Sequence, residues 1–140
     1  MNWMLFWSER EREEEIQLRS IGAMVWAISG GHIPLNSSGH EPEFTSRDEL
    51  KLLNTNDKDV HCEIEVYYSG GRGVKMRPLM VGAKRLRVLR LNDLIDPVPV
   101  PLGKDYGCVV RCEMPLVVQF SRLDSTTIKR AITGCVPFSQ

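Results

Sequence analysis

The chain has 140 residues, 42% of them hydrophobic, and its 18 basic and 18 acidic side chains cancel at neutral pH. That length holds one domain with a real core, and the apolar fraction excludes disordered and collagen-like chains. No run reaches the ~18 apolar residues of a membrane-spanning helix, and zero net charge argues against a protein that coats nucleic acid.

Trp3, Met4, Leu5, Phe6 and Trp7 open the chain as an apolar group too short for a signal-peptide core. With no basic lead-in, it runs directly into Ser8-Glu-Arg-Glu-Arg12, so a cytoplasmic location is expected. Four cysteines, Cys62, Cys108, Cys112 and Cys135, are then expected as reduced thiols. Ser8 and Glu11 have the spacing of a capping box for a helix over 9–19. Ile16 and Leu18 make no helical stripe, so residues 1–20 read as an extension, a short helix or a disordered segment. The domain is expected over 21–140.

From Ile21 the pattern is that of strands, expected over 22–28, 48–54, 60–68, 74–80, 84–91, 106–112 and 115–122. Cys62, Ile64, Val66 and Tyr68 alternate with His61, Glu63, Glu65 and Tyr67, the period of a strand with one buried face. Ser69-Gly-Gly-Arg-Gly73 supplies a turn, which makes 60–68 and 74–80 a hairpin. Loops rich in Gly and Pro fall at 29–46 and 92–105, and Asp124 or Ser125 is placed to cap a helical turn reaching Ala131. Cys108 and Cys112 lie four apart along one strand, too far for a mutual disulfide. The fold class expected is all-β, a single-domain β-sandwich of jelly-roll-like character.

In a sandwich the informative residues are polar ones on an apolar face. Arg122 shares the parity of Leu116, Val118 and Phe120, and Arg90 that of Leu86 and Val88. A buried guanidinium needs partners, and Asp93 and Asp124 are the nearest acids in sequence. Two readings stand. The arginines clamp loops to strand ends, or Arg90, Asn92, Asp93, Arg122 and Asp124 form a polar pocket for hydroxyls or a carboxylate. Trp26 is either a stacking wall for such a pocket or a core residue.

Between Val66 and Asn92 there is no acid, while Arg72, Lys75, Arg77, Lys84, Arg85, Arg87 and Arg90 are all basic. This run is a solvated face, partly paired with Glu63 and Glu65, or a surface for a partner or nucleic acid. No aromatic residue interleaves it, so base stacking has no support. His32, His40 and His61 have no nucleophile or metal-binding company, and no Cys-x-x-Cys spacing occurs. Glu41 and Glu43 are the remaining carboxylate pair in a loop. No catalytic residue, metal or cofactor is expected.

Several segments together resemble the sensory rhodopsin transducer family of cyanobacteria. They are Trp26-Ala-Ile-Ser-Gly-Gly-His-Ile-Pro34, Glu41-Pro-Glu-Phe-Thr-Ser46, Leu53-Asn-Thr-Asn-Asp57, Val66-Tyr-Tyr-Ser69, Arg90-Leu-Asn-Asp-Leu-Ile-Asp-Pro97 and Pro115-Leu-Val-Val-Gln-Phe-Ser-Arg-Leu-Asp-Ser125. Arg90, Asn92, Asp93, Gln119, Arg122 and Asp124 fall within these segments. Phe120 stands where the family pattern has a histidine. The resemblance implies a β-sandwich protomer in a homotetramer, with a role in signalling or ligand binding rather than catalysis. It also implies contact with a rhodopsin-like membrane receptor, and association with DNA. The expected function is a non-enzymatic sensor of a small polar ligand, sugar-like or anionic. The alternative is a receptor-coupled transducer or DNA-associated regulator that uses the basic run.

Overall fold

Period-two alternation in this chain produces nine strands, every pair of them antiparallel, in a computed structural model that describes residues 8–13, 21–41, 45–127 and 129–140. They are β1 (Ala23–His32), β2 (Arg47–Asn54), β3 (Val60–Tyr67), β4 (Val74–Lys75), β5 (Leu79–Val81), β6 (Arg85–Arg90), β7 (Asp105–Asp124), β8 (Ala131–Cys135) and β9 (Phe138–Ser139). A 3-10 turn, Leu91–Asp93, follows β6. Ahead of the domain, residues 9–13 are helical, and the capping box forms. The Ser8 hydroxyl accepts the Glu11 N–H at 3.2 Å, and the Glu11 carboxylate accepts the Ser8 N–H at 2.8 Å. The rest of that expected helix, the apolar residues 1–7 and Glu43 lie outside the described residues. No described helix is long and apolar enough to cross a membrane.

The two strands expected over 106–112 and 115–122 are one strand of 20 residues, β7, shared by two sheets. Its first part lies between β1 and β3, with Val110 opposite both Trp26 and Ile64. Its second part lies between β2 and β8, with Phe120 opposite both Leu50 and Cys135. Pro115 falls between the β3 and β2 ladders, where its missing N–H costs no ladder bond. The first sheet is completed by β4 and β5 on β3 and by β9 on β1, and the second by β6 on β2. Residues alternate faces along each strand, so the inner faces meet in one core. Trp26, Ile28, Ile64, Val66 and Val110 from the first sheet pack with Leu50, Leu52, Leu89, Val118 and Phe120 from the second. Each such aliphatic or aromatic side chain contributes about 1.5–3 kcal/mol on full burial.

Two local expectations are corrected. On β6 the face carrying Leu86, Val88 and Arg90 points outward: Leu86 is 57% and Val88 50% exposed, while Leu89 is 9% exposed. The register is the cause, because Leu89 lies opposite the fully buried Leu50 and must share its face. No helical turn forms among the described residues of 124–131. Instead the Asp124 carboxylate accepts the Thr126 N–H at 3.0 Å and its hydroxyl at 2.6 Å, closing a side-chain turn that leads into β8.

Candidate functional site

Arg122 does lie on the inner face, but the acid that meets it is Asp48, rather than Asp124. Its Nε–H donates to Asp48 Oδ1 at 2.9 Å, and one terminal nitrogen donates to the Gly30 carbonyl at 2.6 Å. Asp48 is completely buried, and its Oδ2 also accepts the Tyr106 hydroxyl at 2.7 Å and the His32 backbone N–H at 2.8 Å. Burial, then the neighbouring Asp48 charge, pushes the Tyr106 phenol well above its ordinary value, so it stays a donor. Three hydrogen bonds satisfy the buried carboxylate, as a charge out of water requires. This cluster ties β1, β2 and both parts of β7 together at one end of the sandwich. Asp48 was missed from sequence, although its parity with Leu50 and Leu52 marks it as inward-facing.

Arg90 is elsewhere. In the second sheet Asp48 pairs with Arg122, and the next residue, Glu49, pairs with Arg90, so the two arginines fall on opposite faces. Arg90 lines a cleft of about 580 Å³ along the edge of β6 that no strand covers. Arg77 and Arg87 line it too, with Asp93 and Asp96 on the loop side and Leu79, Val88 and Ile95 as apolar wall. The Arg87 guanidinium donates to the Met80 carbonyl at 2.6 Å, anchoring it across the gap to β5. None of these three arginines forms an ion pair among the described residues. The lining therefore remains cationic, and it offers planar donors beside two carboxylate acceptors.

The remaining expected residues are dispersed. The Asn92 amide donates to the Ser46 carbonyl at 3.1 Å, fastening the 3-10 turn to the start of β2, and its Oδ1 is buried without a partner. Gln119 is exposed and lines a separate groove of about 330 Å³ with Lys51, Ser121 and Arg122. Asp124 holds its own turn, and the Thr126 hydroxyl, ahead of other causes, keeps its carboxyl below the ordinary value. Trp26 is a core residue, 5% exposed, with its indole N–H donating to the Ala23 and Leu116 carbonyls. Of the basic run, Arg72 and Lys75 belong to the β3–β4 hairpin of the first sheet, and Lys84, Arg85 and Arg87 to the β6 edge of the second. The acid expected across the hairpin, Glu65, lies opposite Lys75 in register, but its carboxylate accepts from Arg111 at 3.4 Å. Among the described residues no three His, Cys, Asp or Glu side chains gather as a metal-binding group.

The family described as Anabaena sensory rhodopsin transducer matches residues 21–139, which includes β8 and β9. Among solved structures, the Anabaena sensory rhodopsin transducer is 44% identical to the chain at a TM-score of 0.68, covering 76% of this chain and 92% of that one. A structure described as Thermotoga maritima 1070 gives a TM-score of 0.74 at 22% identity, covering 86% of this chain and 97% of that one. At that identity the likeness speaks for the fold alone. No curated protein matches the chain.

Proposed function

Because the chain belongs to the Anabaena sensory rhodopsin transducer family, we propose that it is a non-catalytic signalling protein whose input is a small hydroxyl-bearing anion, such as a sugar acid. The binding site is the cleft of Arg77, Arg87 and Arg90. The observation that carries this reading is that three arginines without an ion-pair partner line one cleft. Arg77 and Arg90 can each offer two parallel N–H donors to a carboxylate or phosphate, beside Arg87 held by the Met80 carbonyl, and charge-assisted bonds of this kind contribute about 1.5–3 kcal/mol each. Asp93 and Asp96 are the acceptors for ligand hydroxyls. Arg122 is set aside as a ligand donor, since Asp48 and the Gly30 carbonyl already engage it.

The cleft joins residues of β5 in the first sheet to residues of β6 in the second, so a bound anion would bridge the two sheets at an open edge. A thermal-shift panel of sugars, sugar acids, sugar phosphates and carboxylates tests the reading, run beside Arg77→Ala and Arg90→Ala. A ligand at ~100 times its Kd adds about 2.7 kcal/mol, a shift of several degrees in a domain of this size. Anionic hits lost in both variants are the expected result. A flat panel, or hits unchanged in the variants, overturns it.

The 44% identity to a structure named as a rhodopsin transducer favours a second reading, in which the chain also couples to a rhodopsin-like membrane receptor. Retention on rhodopsin-containing vesicles, and none on empty ones, is the outcome that reading requires. Self-association into a homo-oligomer is supported by Ile132, Val136 and Phe138, large apolar side chains exposed on β8, β9 and the link between them. Light scattering reads the number of copies directly.

A further inference from the structure

The Sγ atoms of Cys62 and Cys112 lie 3.5 Å apart in a thiol–thiol hydrogen bond. The two residues are direct partners in the β3–β7 register, so their side chains face each other on the inner side of the first sheet. Directly opposed residues of antiparallel strands have Cα atoms about 4.5–5.5 Å apart, within the about 4.4–6.8 Å that a disulfide spans. Closing the sulfurs to a bond of ~2.05 Å therefore takes side-chain rotation and a small approach of the two strands.

Both thiols are buried on the inner face, and on the outer face of the same two strands His61, Glu63, Arg111 and Glu113 line a cleft of about 260 Å³ with Pro78. The edge of β3 next to Cys62 is covered only in part. β4 ends at Lys75 and β5 begins at Leu79, so the edge of β3 between them carries no continuous strand. The hydrogen bond to Cys112, foremost, and the Arg87 charge hold the Cys62 thiol below its ordinary value against burial and Glu113. The same bond, together with burial, pushes Cys112 up. In a shared bond of this kind one sulfur gains thiolate character while the other keeps the proton.

We propose that Cys62 and Cys112 are a redox modification site that closes reversibly into a cross-strand disulfide on contact with a peroxide. In the first step the Cys62 thiolate attacks one peroxide oxygen, the O–O bond breaks, and the departing hydroxide takes a proton to become water. Cys62 is left as a sulfenic acid. In the second step the Cys112 sulfur attacks the Cys62 sulfur, the S–O bond breaks, and hydroxide leaves with the Cys112 proton as a second water. Two thiols lose two electrons in all, and one hydrogen peroxide is reduced to two waters. A dithiol reductant reopens the bridge by thiol–disulfide exchange. Pro78 lines both this cleft and the arginine cleft, so the bridge would stiffen the sheet edge that the two share.

The test uses the full chain, reduced, then titrated with hydrogen peroxide, denatured, alkylated and mapped by mass spectrometry. The expected result is loss of two of the four thiols, a mass lower by two hydrogens, and a peptide linking Cys62 to Cys112. Dithiothreitol should restore all four thiols, and the oxidised form should melt several degrees higher. Cys108→Ser should behave as wild type. Cys112→Ser should stop at a Cys62 sulfenic acid that dimedone traps. The wild-type map stands alone if a serine variant fails to fold. The proposal is overturned if all four thiols survive, if the bridge is intermolecular through Cys135, or if Cys62 passes to sulfinic acid without bridging.

Discussion

The carboxylate of Asp48, with no exposed surface, receives the Nε–H of Arg122 at 2.9 Å, while the arginine side chain itself stays 28% exposed. The pair is asymmetric, because the guanidinium can reach water and the carboxylate cannot. Arg122→Ala should therefore cost about 3 kcal/mol, the lower end for breaking a buried pair, since Tyr106 and the His32 N–H still serve Asp48. Urea unfolding measures the loss. A value under about 1 kcal/mol would reduce the pair to an ordinary surface bridge.

Gly31 packs against the Tyr106 ring so closely that an added Cβ would lie 2.3 Å from it. Gly31→Ala should push the ring off Asp48 and destabilise the fold by about 1–3 kcal/mol, as overpacking does. Gly30→Ala is the control, with nothing within 4 Å of its Cβ, and should leave the melting temperature close to wild type.

Acidification should report on Asp124. Its carboxyl is held below the ordinary value, first by the Thr126 hydroxyl and then by the Thr126 N–H. A lowered folded-state pKa gives stability that is fully present above the unfolded value and is lost as pH falls through the folded one. Thr126→Val should therefore be less stable than wild type near neutral pH, with the gap narrowing at low pH. Urea midpoints measured from pH 7 downward check this. A gap that widens on acidification would contradict the assignment.

Cysteine reactivity should divide by burial. Burial, helped by the Asp48 charge, pushes the Cys108 thiol up to about 12, whereas Cys135 is exposed on β8. Iodoacetamide at pH 8 should label Cys135 in the native protein and reach Cys108 only on unfolding. Mass spectrometry of timed samples distinguishes the two, and early Cys108 labelling would mean that the core opens locally.

The inverted parity of β6 is testable by truncation. Leu89→Ala should cost about 2–5 kcal/mol, as deletions in a core do, whereas Leu86→Ala should stay within ~0.5 kcal/mol. Equal losses would mean that both faces of β6 are covered.

Local chemistry in the sequence determined much of this. Alternation on β3 and β7 named the buried residues Cys62, Ile64, Val66, Leu116, Val118 and Phe120, and the Ser8–Glu11 spacing named its capping box. On β6, apolar residues occupy both parities, Leu86 and Val88 on one and Leu89 and Leu91 on the other, so alternation there could not choose a face. The β2 register chose it. Which acid meets Arg122, which arginines share a cleft, and that Cys62 lies against Cys112 fifty positions away were likewise decided by tertiary structure. The physical reason is range. Side-chain alternation is imposed by each strand's own backbone, whereas the partner of a buried charge or thiol is set by how separate strands pair in register. In this fold one long strand, β7, belongs to both sheets and brings those distant residues together.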